Sequence, residues 1–334
     1  MKVKQIVAVA CAAVMLTACG SKTANNNNNK DNDNKVAVTE SQKPKAEGLN
    51  VVTTTYILRD LTEEIAGDKA TVTCLIPKGQ GVHGFEPSPK DMNLVNGSDL
   101  FIYNGAGLES FTDRLKESLE GDATFVEASE GIELLKGGHH HHHDEDADHD
   151  HDHDEDADHD HDTAEHEGMD PHVWMAPENA EEMAENICEA LSAKDPDNAA
   201  YYKANYEKLS EKFDALDDSF ENVLSKAKHK DIVVSHEAYG YLAKEYGLNQ
   251  IPIEGINSES EPDPKAMKAI VDEMKAKGIK TVFTEPNEDD KIAQTVASEA
   301  GAEVKELDPM EYESDKNYFE RMESNLKILE SALQ

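Results

Sequence analysis

Between His139 and His166 the chain carries eleven of its fifteen histidines, and Asp144 to Glu167 adds fourteen carboxylates without one basic residue. Almost nothing in this stretch is apolar, so it cannot enter a packed core, and the fold must be assembled from the segments on either side of it. The histidines are His139, His140, His141, His142, His143, His149, His151, His153, His159, His161 and His166. Neutral imidazole is the commonest ligand for borderline-soft metals, and neighbouring carboxylates attract cations. A terminal tag and a solvated charge run are the competing readings. Against a tag, the tract is internal, and Asp144–His153 recurs as 154–163 with Thr163 in place of the last histidine. The reading adopted is a disordered, metal-collecting loop over 137–168. Its weak auxiliary sites would feed a fixed site that includes His172, in Met169-Asp170-Pro171-His172-Val173-Trp174.

A formal charge of −38 argues against nucleic acid as a partner, since phosphates need Lys and Arg, and favours a cation ligand over an anionic substrate. At the start, Met1-Lys2-Val3-Lys4 is a basic n-region and Ile6 to Leu16 an apolar h-region too short to span a bilayer comfortably. Leu16-Thr17-Ala18-Cys19 follows, which resembles a bacterial lipoprotein signal over residues 1–18 with Cys19 as the lipid-modified first residue. Residues 19–48 are polar and read as a flexible tether, which leaves the lipid as the membrane anchor. Cys74 and Cys188 read as small core residues, with a disulfide between them left open.

From Asn50 onward, short β-branched runs alternate with amphipathic segments. Strands are expected at 51–54, 70–76, 100–103 and 124–126, with helices at 57–66, 88–95 and 108–119. Beyond the histidine tract a helix at 177–192 precedes the longest periodic segment, in which Tyr202, Tyr206, Leu209, Phe213, Leu216, Phe220 and Val223 mark one apolar stripe. That stripe predicts a helix of about thirty residues, 45 Å or so at 1.5 Å per residue. The alternation then resumes, with strands at 232–235, 250–253, 281–284 and 303–307 and a closing helix at 318–333. The fold class expected is α/β: a lobe at 49–195 and a second at 229–334, each with a mainly parallel sheet flanked by helices, joined by one long rigid helix at 196–228.

In open α/β sheets ligands bind beyond the carboxyl ends of the strands. Three histidines outside the tract fall in such places: His83 after the strand ending at Ile76, His172 after the tract, and His236 directly after Ser235. Glu285 and Asp308 also follow expected strands. Three imidazoles and a carboxylate match four-coordinate Zn2+. His229, between two lysines, reads as exposed.

These residues carry a resemblance. Gly81-Val82-His83-Gly84-Phe85-Glu86-Pro87-Ser88-Pro89, Asp170-Pro171-His172-Val173-Trp174, Ser235-His236-Glu237-Ala238-Tyr239, Phe283-Thr284-Glu285-Pro286 and Leu307-Asp308-Pro309 occur in an order that resembles the zinc-uptake family of ABC-transporter solute-binding lipoproteins. The resemblance runs from Asn50 to Gln334. It implies one tight zinc in a cleft between two lobes, and delivery to a cognate permease driven by a cytoplasmic ATPase. With the leader read above, the chain is expected to be extracytoplasmic, lipid-anchored to the bacterial cell membrane and monomeric. His83, His172 and His236 match the family's histidine ligands and Asp308 its variable carboxylate, with water or Glu285 open as alternatives for that fourth position.

Ligand softness favours zinc over manganese, although other divalent ions also bind three imidazoles. Two other classes compete with transport. A zinc hydrolase would need an open metal position and a base such as Glu285 or Glu237, and no His-Glu-x-x-His motif is present. A surface adhesin is compatible with a lipid anchor and an acidic face, but neither feature is specific to it.

Overall fold

The computed structural model describes residues 48–119, 121–137, 168–256 and 264–334. The leader, the tether up to residue 47 and the histidine tract lie outside the described residues.

Strands β1 (Leu49–Thr53), β2 (Ala70–Cys74), β3 (Leu100–Tyr103) and β4 (Thr124–Glu127) form one sheet in the order β2-β1-β3-β4. Strands β5 (Asp231–Val234), β6 (Asn249–Pro252), β7 (Thr281–Thr284) and β8 (Glu303–Glu306) form a second in the order β6-β5-β7-β8. Every pairing between these eight strands is parallel. Parallel neighbours need crossovers, and helices supply them: α1 (Tyr56–Ala66), α2 (Pro89–Asn96) and α3 (Thr112–Ser118) in the first lobe. Between the sheets run α4 (Pro177–Lys194) and α5 (Ala199–Leu224). The second lobe has α6 (Gly240–Tyr246), α7 (Pro264–Lys277), α8 (Lys291–Ala300) and α9 (Tyr318–Ala332).

Successive strand residues point to opposite faces, and the core divides accordingly. Val51, Leu100, Ile102, Ile232, Val234 and Phe283 face one continuous core that passes through both lobes by way of α4, α5 and α9. Val52, Phe101 and Tyr103 face a separate cluster under α2 and α3, and Val233 and Val282 one under α7 and α8. Helix α5 joins the lobes, packing on α1 and α4 of the first and on α6 and α9 of the second. Its buried stripe is Tyr202, Leu209, Phe213, Leu216, Phe220 and Leu224. Among the described residues no helix is long and apolar enough to cross a membrane.

Three of the boundaries that differ from expectation have a clear local reason. Helix α3 starts at Thr112 rather than Leu108, because the Glu109 carboxylate accepts from the backbone N–H groups of Asn104 (2.8 Å) and Gly105 (3.0 Å) and holds the segment as a turn. Helix α5 has 26 residues rather than about thirty, since a 3-10 turn at Pro196–Asn198 precedes it. Strand β2 ends at Cys74, and Leu75 and Ile76 continue only as backbone donors to Thr53 and Thr54. Cys74 and Cys188 are both free thiols.

Helix ends follow local chemistry. The Thr55 hydroxyl accepts from Leu58 N at the start of α1, and Gly67 ends that helix at φ 53°. Reciprocal capping boxes open α2 (Ser88 with Asp91) and α9 (Asn317 with Glu320). The sharp start of α2 fixes where the loop carrying His83 ends.

Candidate metal centre

In each sheet the chain switches direction between its two central strands, β1 and β3 in the first and β5 and β7 in the second. Crevices beyond the carboxyl ends form at such points. Ser235 and His236 follow β5, and Glu285 follows β7, so the side chains of His236 and Glu285 meet at the crevice of the second lobe. His83 enters from the loop between β2 and α2, and His172 from the segment just before α4.

The structure brings His83, His172 and His236 together, and the fourth group among them is Glu311, their donor atoms all lying within 4.8 Å of one another. His172 Nε2 lies 3.2 Å from His83 Nε2, 3.3 Å from His236 Nε2 and 3.1 Å from Glu311 Oε1. Glu311 Oε1 is in turn 3.3 Å from His83 Nε2 and 3.3 Å from His236 Nε2. A tetrahedral zinc site with bonds of about 2.0 Å has edges of about 3.3 Å between its donors. Five of the six edges therefore have the length that a shared tetrahedral ion requires.

Further groups aim the imidazoles. His172 Nδ1 donates to Asp170 Oδ1 at 2.7 Å, and the same oxygen accepts the His172 backbone N–H at 3.0 Å. His236 Nδ1 pairs with Glu285 Oε1, which also accepts from the Ser235 hydroxyl at 3.1 Å. A carboxylate on Nδ1 fixes the tautomer that leaves the Nε2 lone pair free for a metal and raises its basicity. Glu285 thus orients His236 instead of standing among the converging donors. His172 and His236 are fully buried, and His83 remains 12% exposed.

Asp308 does not join the cluster, and this corrects the sequence expectation. Its two oxygens receive Arg321 Nε and Nη2, each at 2.7 Å, and Oδ1 also takes the Met310 N–H at 2.8 Å. Arg321 is buried, so its charge requires a partner, and the fork of the guanidinium matches a carboxylate. Asn325 exchanges two hydrogen bonds with the Asp308 backbone, and Arg321 Nη1 donates to Tyr312 O at 3.1 Å. Met310 is held at φ 66° in the middle of this turn, and the next residue, Glu311, projects into the crevice. The carboxylate after β8 therefore builds the turn, and the one three residues later faces the histidines.

Aromatic groups tie the His172 segment to the second lobe. Trp174 Nε1 donates to Pro309 O at 2.8 Å, Tyr318 Oη to Trp174 O at 2.9 Å and Tyr241 Oη to Asp170 O at 2.7 Å. Burial alone would push the His172 imidazole down, but hydrogen bonds and charge from Asp170 and then Glu311 outweigh it and hold its pKa at about 10. Burial pushes Glu311 up, and the three surrounding histidines more than reverse this, leaving it well below the usual carboxylate range.

His229 is exposed. The eleven tract histidines and Cys19 lie outside the described residues, while Lys136 and Met169, on either side of the tract, form one isolated antiparallel bridge.

Residues 51–332 match the family described as zinc-uptake complex component A, periplasmic. The chain is 36% identical over 300 residues to the high-affinity zinc uptake system protein ZnuA of Bacillus subtilis, a match covering 88% of this chain and 90% of that protein. It is also 36% identical over 300 residues to the zinc-binding protein AdcA of Streptococcus pyogenes serotype M6, covering 87% of this chain but only 58% of that longer protein. Among solved structures, the Zn(II)-bound ZnuA-like domain of Streptococcus pneumoniae AdcA superposes with a TM-score of 0.70 at 30% identity, over 86% of this chain and 99% of that one.

Proposed function

Because the chain belongs to the family of zinc-uptake complex component A proteins, we propose that it binds one Zn2+ through His83, His172, His236 and Glu311 and hands it to a membrane ABC permease. The observation that carries this reading is the spacing of the four donors at tetrahedral edge lengths, with carboxylates behind two of the three imidazoles. Three nitrogens and one oxygen suit zinc better than manganese, whose sites carry more oxygen. A catalytic zinc keeps a position for water, and here Glu311 offers a protein donor for that position, which favours cargo binding over hydrolysis.

Four parts of the reading rest on the sequence. Cys19 is the lipid attachment point, which places the protein outside the cytoplasm on the cell membrane. Domain limits are 49–195, 196–228 and 229–334. The chain works as a monomer beside a permease and its ATPase. The tract at 139–166 collects metal at many weak sites, and its downstream end is only a few residues from Asp170 and His172.

The test is metal content of the purified mature chain, with and without residues 139–166. One zinc per chain must survive deletion of the tract and resist dialysis, and a deleted chain that keeps none would refute the assignment.

A further inference from the structure

Two of the four donors, His83 and His172, are carried by segments of the first lobe, and the other two, His236 and Glu311, by the second. Metal can leave only if these pairs part. The rate is then set by contacts that cross between the lobes without being donors themselves. His83 is the most exposed of the four, so the exit lies on its side.

On that side one carboxylate meets two cations from the opposite lobe. Glu313, two residues beyond Glu311, accepts from Arg59 Nη1 of α1 at 3.2 Å, and its other oxygen is 3.2 Å from Lys78 Nζ. Lys78 belongs to the loop that carries His83, and Arg59 to the helix that follows β1. Arg59 is preset for the contact: Asp60 accepts from its Nη2 at 3.1 Å, and its guanidinium stands 5.3 Å from the centre of the Tyr56 ring. The side chains of Arg59 and Glu313 are only 21% and 22% exposed, so solvent screens their attraction less than that of a surface pair. The two loops also touch, since a Cβ on Gly81 would come within 3.0 Å of Tyr312 Oη.

We propose that Arg59 and Lys78 on Glu313 form a latch that holds the Glu311 turn against the His83 loop and sets the rate at which zinc leaves. The inference rests on the zinc-binding reading above and deepens it. Arg59 is a positioning residue in this scheme, acting on the metal through Glu313 and the turn. The Asp308–Arg321 clamp fixes the same turn from within its own lobe, so the turn is held from both sides and only the Glu313 side opens with the lobes.

The experiment is a chelator chase of zinc-loaded mature protein, followed by stopped flow, on the wild type, Arg59→Ala, Glu313→Gln and the double variant. Arg59→Ala is expected to release zinc about fivefold faster, and Glu313→Gln, which frees both cations, about tenfold faster. The double variant should release no faster than Glu313→Gln alone, because the two residues share one interaction. Raising salt from about 50 mM to about 500 mM should speed release from the wild type and leave Glu313→Gln nearly unchanged. Should Arg59→Ala fail to fold, Arg59→Lys and Lys78→Gln read the same contact, and each should release faster than wild type. Single variants that hold one zinc and release it at the wild-type rate overturn the latch. A wild type that holds no tight zinc overturns the site and the latch with it.

Discussion

Loading the centre with zinc should expel a proton. In the metal-free protein both nitrogens of His172 face carboxylates, Nδ1 at 2.7 Å from Asp170 and Nε2 at 3.1 Å from Glu311. Burial opposes charging the ring, but these two partners prevail and hold its pKa at about 10. At pH 7 the ring is then about three units below its pKa and carries both protons, and stripping Nε2 for a metal costs about 4 kcal/mol. Metal bonds must offset that cost, and one proton per zinc must appear in solution. From this group alone the apparent affinity should weaken about tenfold for each unit that the pH falls below 10. Titration calorimetry at pH 7.5 in buffers of different ionisation enthalpy measures the proton directly. Asp170→Asn removes the larger of the two favourable partners, so fewer protons should be released and the pH profile above 7 should flatten. The metal-free fold gains stability with the opposite sign. With the folded pKa raised above the unfolded value of about 6.5, that gain is complete below 6.5 and lost as the pH rises through about 10. Identical binding heats in every buffer at pH 7.5 would refute the assignment of a proton to His172.

Other substitutions separate ligation from support. His83→Ala, in a chain lacking 139–166, should weaken zinc by more than about 100-fold in a competition titration, since loss of a ligand exceeds the usual cost of losing a group behind one. Glu311→Gln should weaken zinc and also lower the metal-free melting temperature at pH 7, because the carboxylate is one of the two groups that hold the charge on His172. Asp308→Asn should strand the buried Arg321 and cost the fold about 3 kcal/mol, read as a lower denaturant midpoint before any metal is added. Deleting 139–166 should lower total metal stoichiometry, keep the dissociation constant of the tight site and slow uptake mainly when zinc is scarce. Unchanged stoichiometry together with unchanged uptake at low zinc would make the tract a spacer.

The alternation of β-branched runs with amphipathic helices was enough to anticipate parallel sheets, because residues such as Ile232-Val233-Val234 and Thr281-Val282-Phe283 are apolar on both faces, as a strand covered by helices must be. Strand order was not legible, since it depends on which edge each crossover returns to, and no local residue records that. The late start of the predicted helix over 108–119 escaped for a similar reason. Glu109 looks like an ordinary helical residue until its carboxylate is seen receiving the N–H groups of Asn104 and Gly105.

That the three histidines converge was legible because position and chemistry agree at each: a strand end or a loop beside the crevice, and a side chain that ligates when neutral. The fourth donor needed one more inference. Three carboxylates, Asp308, Glu311 and Glu313, lie within seven residues after β8, and proximity to the strand singles out one that does not face the histidines. The signal that discriminates them sits in α9. Its buried face runs Tyr318, Arg321, Met322, Asn325, Leu326, Leu329, so an arginine occupies a position that periodicity marks as core. A buried guanidinium must be paired, and the carboxylate that pairs with it is no longer available to a metal. Asn325 on the same face adds hydrogen bonds that require a backbone segment to pass close by. Taken together these residues assign Asp308 to the helix and leave Glu311, three residues on, as the carboxylate that the turn delivers to the histidines. Glu313, two further on, then falls outside the crevice, where the cations of the other lobe meet it.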